Sequence, residues 1–111
     1  MTIQEFIKLT FRPTKTGHCF RPHIVCKDGF TMSVQGSTGM YCSPRETRDN
    51  YTDLEIGFPN RVEPLILEYA DDSNTPTDTV YGYVPIEVID QVIEVHGGID
   101  VNNIDWLGVE L

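Results

Sequence analysis

At 111 residues, with 40% hydrophobic residues and a formal net charge of −9, the chain has the size and composition of one folded domain rather than of a disordered segment. It holds no run of about 18 apolar residues, which excludes a single-pass membrane helix. Glu5 interrupts the apolar residues of the first ten positions, so no secretory signal is expected there. The three cysteines Cys19, Cys26 and Cys42 are an odd number, which argues against a secreted disulfide scaffold and for reduced thiols in a cytoplasmic setting, two of them buried.

In chain order, Thr2 and Glu5 have the spacing of a capping box, and Ile3, Phe6 and Ile7 then share one helical face. Pro13 ends that helix; a short extended segment is the alternative. Residues 14–22 read as a loop punctuated by Gly17 and Pro22. The clearest local signal is a hairpin over 23–35. Two β-prone runs flank Asp28-Gly29, a pair that suits a type I′ turn, with Ile24 and Cys26 on one face of the first strand and Phe30, Met32 and Val34 on one face of the second. Leu54, Ile56 and Phe58 alternate as a strand that stops at Pro59. Residues 63–69 fit either a helix or a strand. Val80, Gly82 and Val84 alternate with Tyr81 and Tyr83 in a further strand. Pro85 then opens the main helix over 85–96, with an apolar stripe of Ile86, Ile89 and Ile93 widened by Val88, Val92 and Val95. Gly97-Gly98 stops it. Residues 104–111, with Trp106, read as a final strand. Strands in succession with one late helix, rather than a regular βαβ alternation, point to an α+β fold. The expected architecture is a single domain over 1–111: a mainly antiparallel sheet with the 23–35 hairpin and the 85–96 helix packed on one face.

Charge is unevenly placed. Residues 1–48 sum to +4 and residues 49–111 to −13, an asymmetry that suggests a charged partner. Asp49, Asp53, Glu55, Asp71, Asp72, Asp78, Glu87, Asp90 and Glu94 are therefore candidates for an acidic interaction surface. The plain alternative is that these charges mix with the basic half on one domain's surface.

Other chemistry is sparse. His18, Cys19, His23, Cys26 and Cys42 are zinc-ligand types, but no Cys-x-x-Cys pair spaces them as a site, so neither a metal nor another cofactor is expected. Cys42 or Cys19 with His23 or His96 could form a nucleophile–base pair, yet nothing in the pattern supplies an oxyanion hole. There is no Gly-rich phosphate loop. The most unusual patch is Tyr41-Cys42-Ser43-Pro44-Arg45 followed by Arg48 and Tyr51. Two guanidinium forks among tyrosines and small hydroxyls suit contact with an anion or with a partner, and Tyr41, Ser43, Arg45, Arg48 and Tyr51 are the candidate contact residues. Tyr69, Tyr81, Tyr83, Phe58 and Trp106 read first as core, with an exposed Tyr81/Tyr83 face as an interface candidate.

The run from Arg21 to Gln35, with Tyr41-Cys42-Ser43-Pro44-Arg45, Glu55-Ile56-Gly57-Phe58-Pro59 and Val80-Tyr81-Gly82-Tyr83-Val84-Pro85, resembles a group of uncharacterised small phage and prophage proteins. The resemblance spans most of residues 21–98. It implies a viral setting, in the cytoplasm of a host cell, and no particular activity. The reading that combines it with the charge pattern is a non-enzymatic accessory protein that binds a host protein, such as a nucleic-acid-binding or defence protein, in counter-defence or host takeover. A homo-oligomer is compatible with this; direct nucleic-acid or membrane binding is not expected. The alternatives are a sponge for a small anionic ligand such as a nucleotide signal, held by the 41–51 loop; a virion or assembly component; and a thiol enzyme centred on Cys42 and His23.

Overall fold

The computed structural model describes residues 1–104. Its frame is a four-stranded antiparallel sheet whose spatial order follows the chain: β1 (Ile24–Val25), β2 (Thr31–Gln35), β3 (Asp53–Gly57) and β4 (Val80–Pro85). Two α-helices accompany it, α1 (Ile3–Leu9) and α2 (Ile86–Val95), with 3₁₀ turns at Pro64–Tyr69 and Val101–Asn103. The α+β class, the antiparallel sheet and the main helix are as expected from the sequence.

Local chemistry explains α1. The Thr2 hydroxyl accepts from the Glu5 amide while the Glu5 carboxylate accepts from the Thr2 amide, so two otherwise orphaned N–H groups are satisfied. The Asp90 carboxylate, reaching over from α2, accepts from the Ile3 amide at 2.8 Å and ties the two helices together. Ile3, Phe6 and Ile7 are fully buried. They join Ile24, Met32, Val34, Leu54, Ile56, Val84, Ile89 and Val92 in one core between helices and sheet.

The hairpin forms, but its turn is not type I′. Only Gly29 has a positive φ, at 90°. Cys26 N donates to Phe30 O and Gly29 N donates to Cys26 O, so the loop has three residues with glycine in the left-handed position. The Asp28 carboxylate accepts from the Phe30 amide at 2.9 Å, a local bond that favours this longer turn. Residues 63–69 resolve into the 3₁₀ turn, with Glu63 as N-cap accepting from the Leu65 amide and Pro64 leading in.

Two strand assignments change. Phe58 leaves the alternation of β3: it adopts φ 50° and is 51% exposed, so the strand ends at Gly57. In β4 the alternation breaks in the middle. Leu54 faces Val84 and Ile56 faces Tyr81, so the single residue Glu55 opposes two, Gly82 and Tyr83. This β-bulge adds one residue to the pleat. As a result Tyr81 and Val84, three apart, are both fully buried, and Tyr83 is 44% exposed.

α2 starts after Pro85, which is its N-cap rather than its first helical residue. Ile89, Val92 and Ile93 are buried, Ile86 and Val88 are half-buried, and Val95 faces solvent, narrower than the expected stripe. Gly97 and Gly98 both take positive φ, and Gly98 N donates to Ile93 O to close the helix end. The strand expected over 104–111 lies outside the described residues apart from Ile104, which follows the Val101–Asn103 turn. Among the described residues, no helix is long and apolar enough to cross a membrane.

Candidate functional site: a tyrosine-lined groove beside the bulge

The β4 bulge carries the most distinctive surface. Tyr83 sits at φ 53°, a conformation rare for a residue with a large side chain. Its amide donates to Tyr41 O at 2.9 Å, which draws the 41–45 segment against the outer side of β4. Gly82 permits that approach: a Cβ there would lie 3.3 Å from the Tyr41 Cβ. The Tyr41 amide in turn donates to the Glu55 carboxylate at 2.9 Å, the same Glu55 that opposes the bulge. On the other side, Ala70 bridges Tyr81 and the Asp71 amide donates to Val80 O, which places Tyr69 and Asp71 along the same stretch of β4.

Between these two segments lies an open groove of about 360 Å³, lined by Tyr41, Tyr69, Ala70, Asp71, Val80, Gly82 and Tyr83. That volume is at the lower end of small-ligand clefts, which run from about 300 to 1,000 Å³. The Tyr41 and Tyr83 rings are 6.0 Å apart and tilted by 40°. The Arg45 guanidinium lies over the Tyr41 ring at 5.5 Å, with its Nε donating to Met40 O.

The five loop residues expected to act together separate. Tyr41 is exposed at the groove, and Arg45, also exposed, lies over its ring. Ser43 is half-buried, bridged to Asp53 in an extension of the sheet. Arg48 turns to Glu46, at 3.8 Å, and to Asn50. Tyr51 is 3% exposed; its hydroxyl donates to Glu46 O and accepts from the Arg48 amide, so this ring is core and cannot meet a partner. The 41–51 loop thus has no convergent pair of guanidinium forks in its hydrogen bonding.

The nine acidic candidates also divide. Asp90 caps α1, Glu55 holds Tyr41, and Asp49 accepts from the Asn50 side chain. Asp53 is half-buried, with one carboxylate oxygen buried and lacking a hydrogen-bond partner. Asp71, Asp72, Asp78, Glu87 and Glu94 are exposed. Ion pairs between described residues are confined to Arg48–Glu46, Arg61–Asp28, and His96 with Asp28 and Glu63. Asp71, Asp72 and Asp78, on the loop that follows Tyr69, therefore face water with no cationic partner among the described residues.

No family model, no curated protein and no solved structure matched the chain.

Two other clusters bear on chemistry. His96, at the end of α2, places Nδ1 2.6 Å from Asp28 and Nε2 2.7 Å from Glu63, while its ring stacks on Phe30 at 4.0 Å and 8°. The ring donates on both sides when it carries two protons, and it then joins the helix end, the hairpin turn and the 3₁₀ turn. The hydrogen bond from His96, then that from the Phe30 amide, hold the Asp28 carboxyl below its ordinary range. Asp28 and His96 are 68 positions apart, and nothing local in the sequence signals this contact. The second cluster surrounds Arg21, 4% exposed, whose guanidinium donates to Gly36 O, Ile7 O and Arg48 O. Burial lowers its pKa.

All three thiols are free and buried. Burial pushes Cys26 up to about 11, with the Asp28 charge adding to the effect. Burial also raises Cys42, whose Sγ–H points at Ser37 O and Pro44 O. A thiol held protonated in this way is a poor nucleophile. His18 lies against Phe20 and His23 is exposed. Among the described residues, no group of three or more His, Cys, Asp or Glu side chains is arranged to hold a metal ion.

Proposed function

We propose that this chain is a non-enzymatic accessory protein of phage origin that acts in the host cytoplasm by binding a host protein, in counter-defence or host takeover. The docking surface is the tyrosine groove beside the β4 bulge together with the acidic loop that follows Tyr69. The observation that carries this reading is the exposure of Tyr41 and Tyr83, at 45% and 44%, around a formed cleft. Tyrosines are favoured anchors of protein interfaces because they bury a large rigid area at little entropic cost. Two features of the groove support a binding role. The backbone holds Tyr83 in an unfavourable region, and residues kept in such conformations cluster at functional sites. Bulges likewise collect beside such sites, where they re-aim a side chain. The charges of Asp71, Asp72 and Asp78, which have no cationic partner among the described residues, add electrostatic steering of a basic partner.

A co-purification from host lysate at low salt tests this. The expected outcome is one stoichiometric protein that is retained by the wild type and lost with Tyr83→Asn combined with Asp71→Asn, and that releases as salt rises toward about 1 M, where the Debye length falls to about 3 Å. Retention by the double variant at every salt concentration would remove the groove from the account.

A further inference from the structure

From the lining of the groove we infer that it is built to seat one cationic side chain, a lysine or arginine of the partner protein. The inference rests on the docking role proposed above and specifies its chemistry. Three of the seven lining residues are tyrosines, and the single charged residue among them is the carboxylate of Asp71. Aromatic faces carry the negative part of the ring quadrupole, so a cation placed over them is attracted, and more so where water is partly excluded. The remaining lining residues, Ala70, Val80 and Gly82, offer no charged side chain to oppose a cation, and their small apolar surfaces suit the methylene stem of a long side chain.

An anion would fare badly in the same place. It would have to lie against the Asp71 carboxylate and the negative ring faces. Arg45, whose guanidinium stacks on the Tyr41 ring and is bonded to Met40 O, is not among the residues that line the cleft. That internal contact is itself an instance of the attraction: the Tyr41 ring already accepts a guanidinium at 5.5 Å. The source of the ligand follows from the surroundings. Asp72 and Asp78, on the loop leading away from Asp71, and Glu68 before it are exposed. A free ammonium compound would use only the cleft. A basic segment of a protein would also meet these flanking carboxylates, and this charge complementarity favours the protein source.

The test is an NMR titration of the whole chain, following the Tyr41, Tyr69, Gly82 and Tyr83 signals. The probes are an acetyl-Ala-Lys-Ala-amide peptide, its arginine counterpart, a neutral peptide with norleucine in place of lysine, tetramethylammonium, and inorganic phosphate. The cationic peptides are expected to shift the groove signals and to bind at least about fivefold more tightly than the norleucine peptide, the order of a partly desolvated cation–π contact. Asp71→Asn and Tyr83→Asn are each expected to weaken the lysine peptide about threefold or more. Tyr83→Asn keeps a residue that tolerates the left-handed backbone, so the fold is retained; unchanged amide signals elsewhere confirm that. Equal binding of the lysine and norleucine peptides, or preference for phosphate, overturns the cationic assignment. Tetramethylammonium binding as tightly as the lysine peptide overturns the protein source. If the cationic peptides fail to shift the groove while the Tyr83→Asn and Asp71→Asn double variant still loses its host protein, the inference fails and the docking role stands. If the double variant keeps that protein, the docking role itself fails.

Discussion

Asp28 shows how one side chain ties together elements distant in sequence. Its carboxylate takes hydrogen bonds from His96 and from the Phe30 amide, and Arg61 lies 3.4 Å away. Its folded pKa is therefore lowered, first by His96. The sign follows from linkage: the contribution is fully present above the unfolded carboxylate value of about 3.9 and is lost as pH falls through the lower folded value. Glu5, held down by its bonds to Thr2, contributes with the same sign. In urea titrations the gap between wild type and Asp28→Asn is expected to be largest near neutral pH and to shrink as pH falls below the unfolded carboxylate value of about 3.9; a gap unchanged on acidification would mean that the carboxylate charge does not matter. Legibility at this scale depends on how local the cause is. The Thr2–Glu5 box can be read from four consecutive residues, and the structure forms it. Tyr51 cannot be assigned to core or surface from its polar neighbours, because its burial is decided by packing: a Cβ on Gly36 would lie 2.7 Å from both its ring and Leu54. The pairing of His96 with Asp28 and Glu63 has no local signature at all.

Among the elements, the hairpin and α2 were legible because period and punctuation specify them. The turn length was not, since Asp28-Gly29 serves a three-residue loop as well as a two-residue one when the aspartate bonds to the amide beyond. The β4 bulge was also hidden. Its sequence alternates as a regular strand would, and only the register against β3 shows that Gly82 and Tyr83 share one partner. That register separates Tyr81 from Tyr83, turning one inward and the other into the groove. The left-handed backbone of Tyr83 gives a direct check. β-branched residues tolerate positive φ least and asparagine more readily. Tyr83→Val is thus expected to be less stable than Tyr83→Asn by roughly 1–2 kcal/mol in chemical denaturation. Equal stability of the two variants would mean that the bulge relaxes without cost.

For the molecule as a whole, the charge asymmetry was the feature most visible in the sequence, and the structure refines what it means. Part of the acidic half has internal work: Asp90 caps α1, Glu55 positions Tyr41, and Glu63 engages His96. What remains outward includes the loop at Asp71, Asp72 and Asp78, beside the tyrosine groove. The arginines expected to gather in the 41–51 loop instead diverge, Arg45 to Tyr41 and Arg48 to Glu46. Groove and loop together are the proposed face toward a partner. Hydrogen exchange of the chain, alone and bound to the host protein that co-purifies with it, tests that claim most directly. The expected result is slowed exchange confined to the backbone around residues 41–43, 69–72 and 80–84. Slowed exchange elsewhere, with those three segments unchanged, would contradict it.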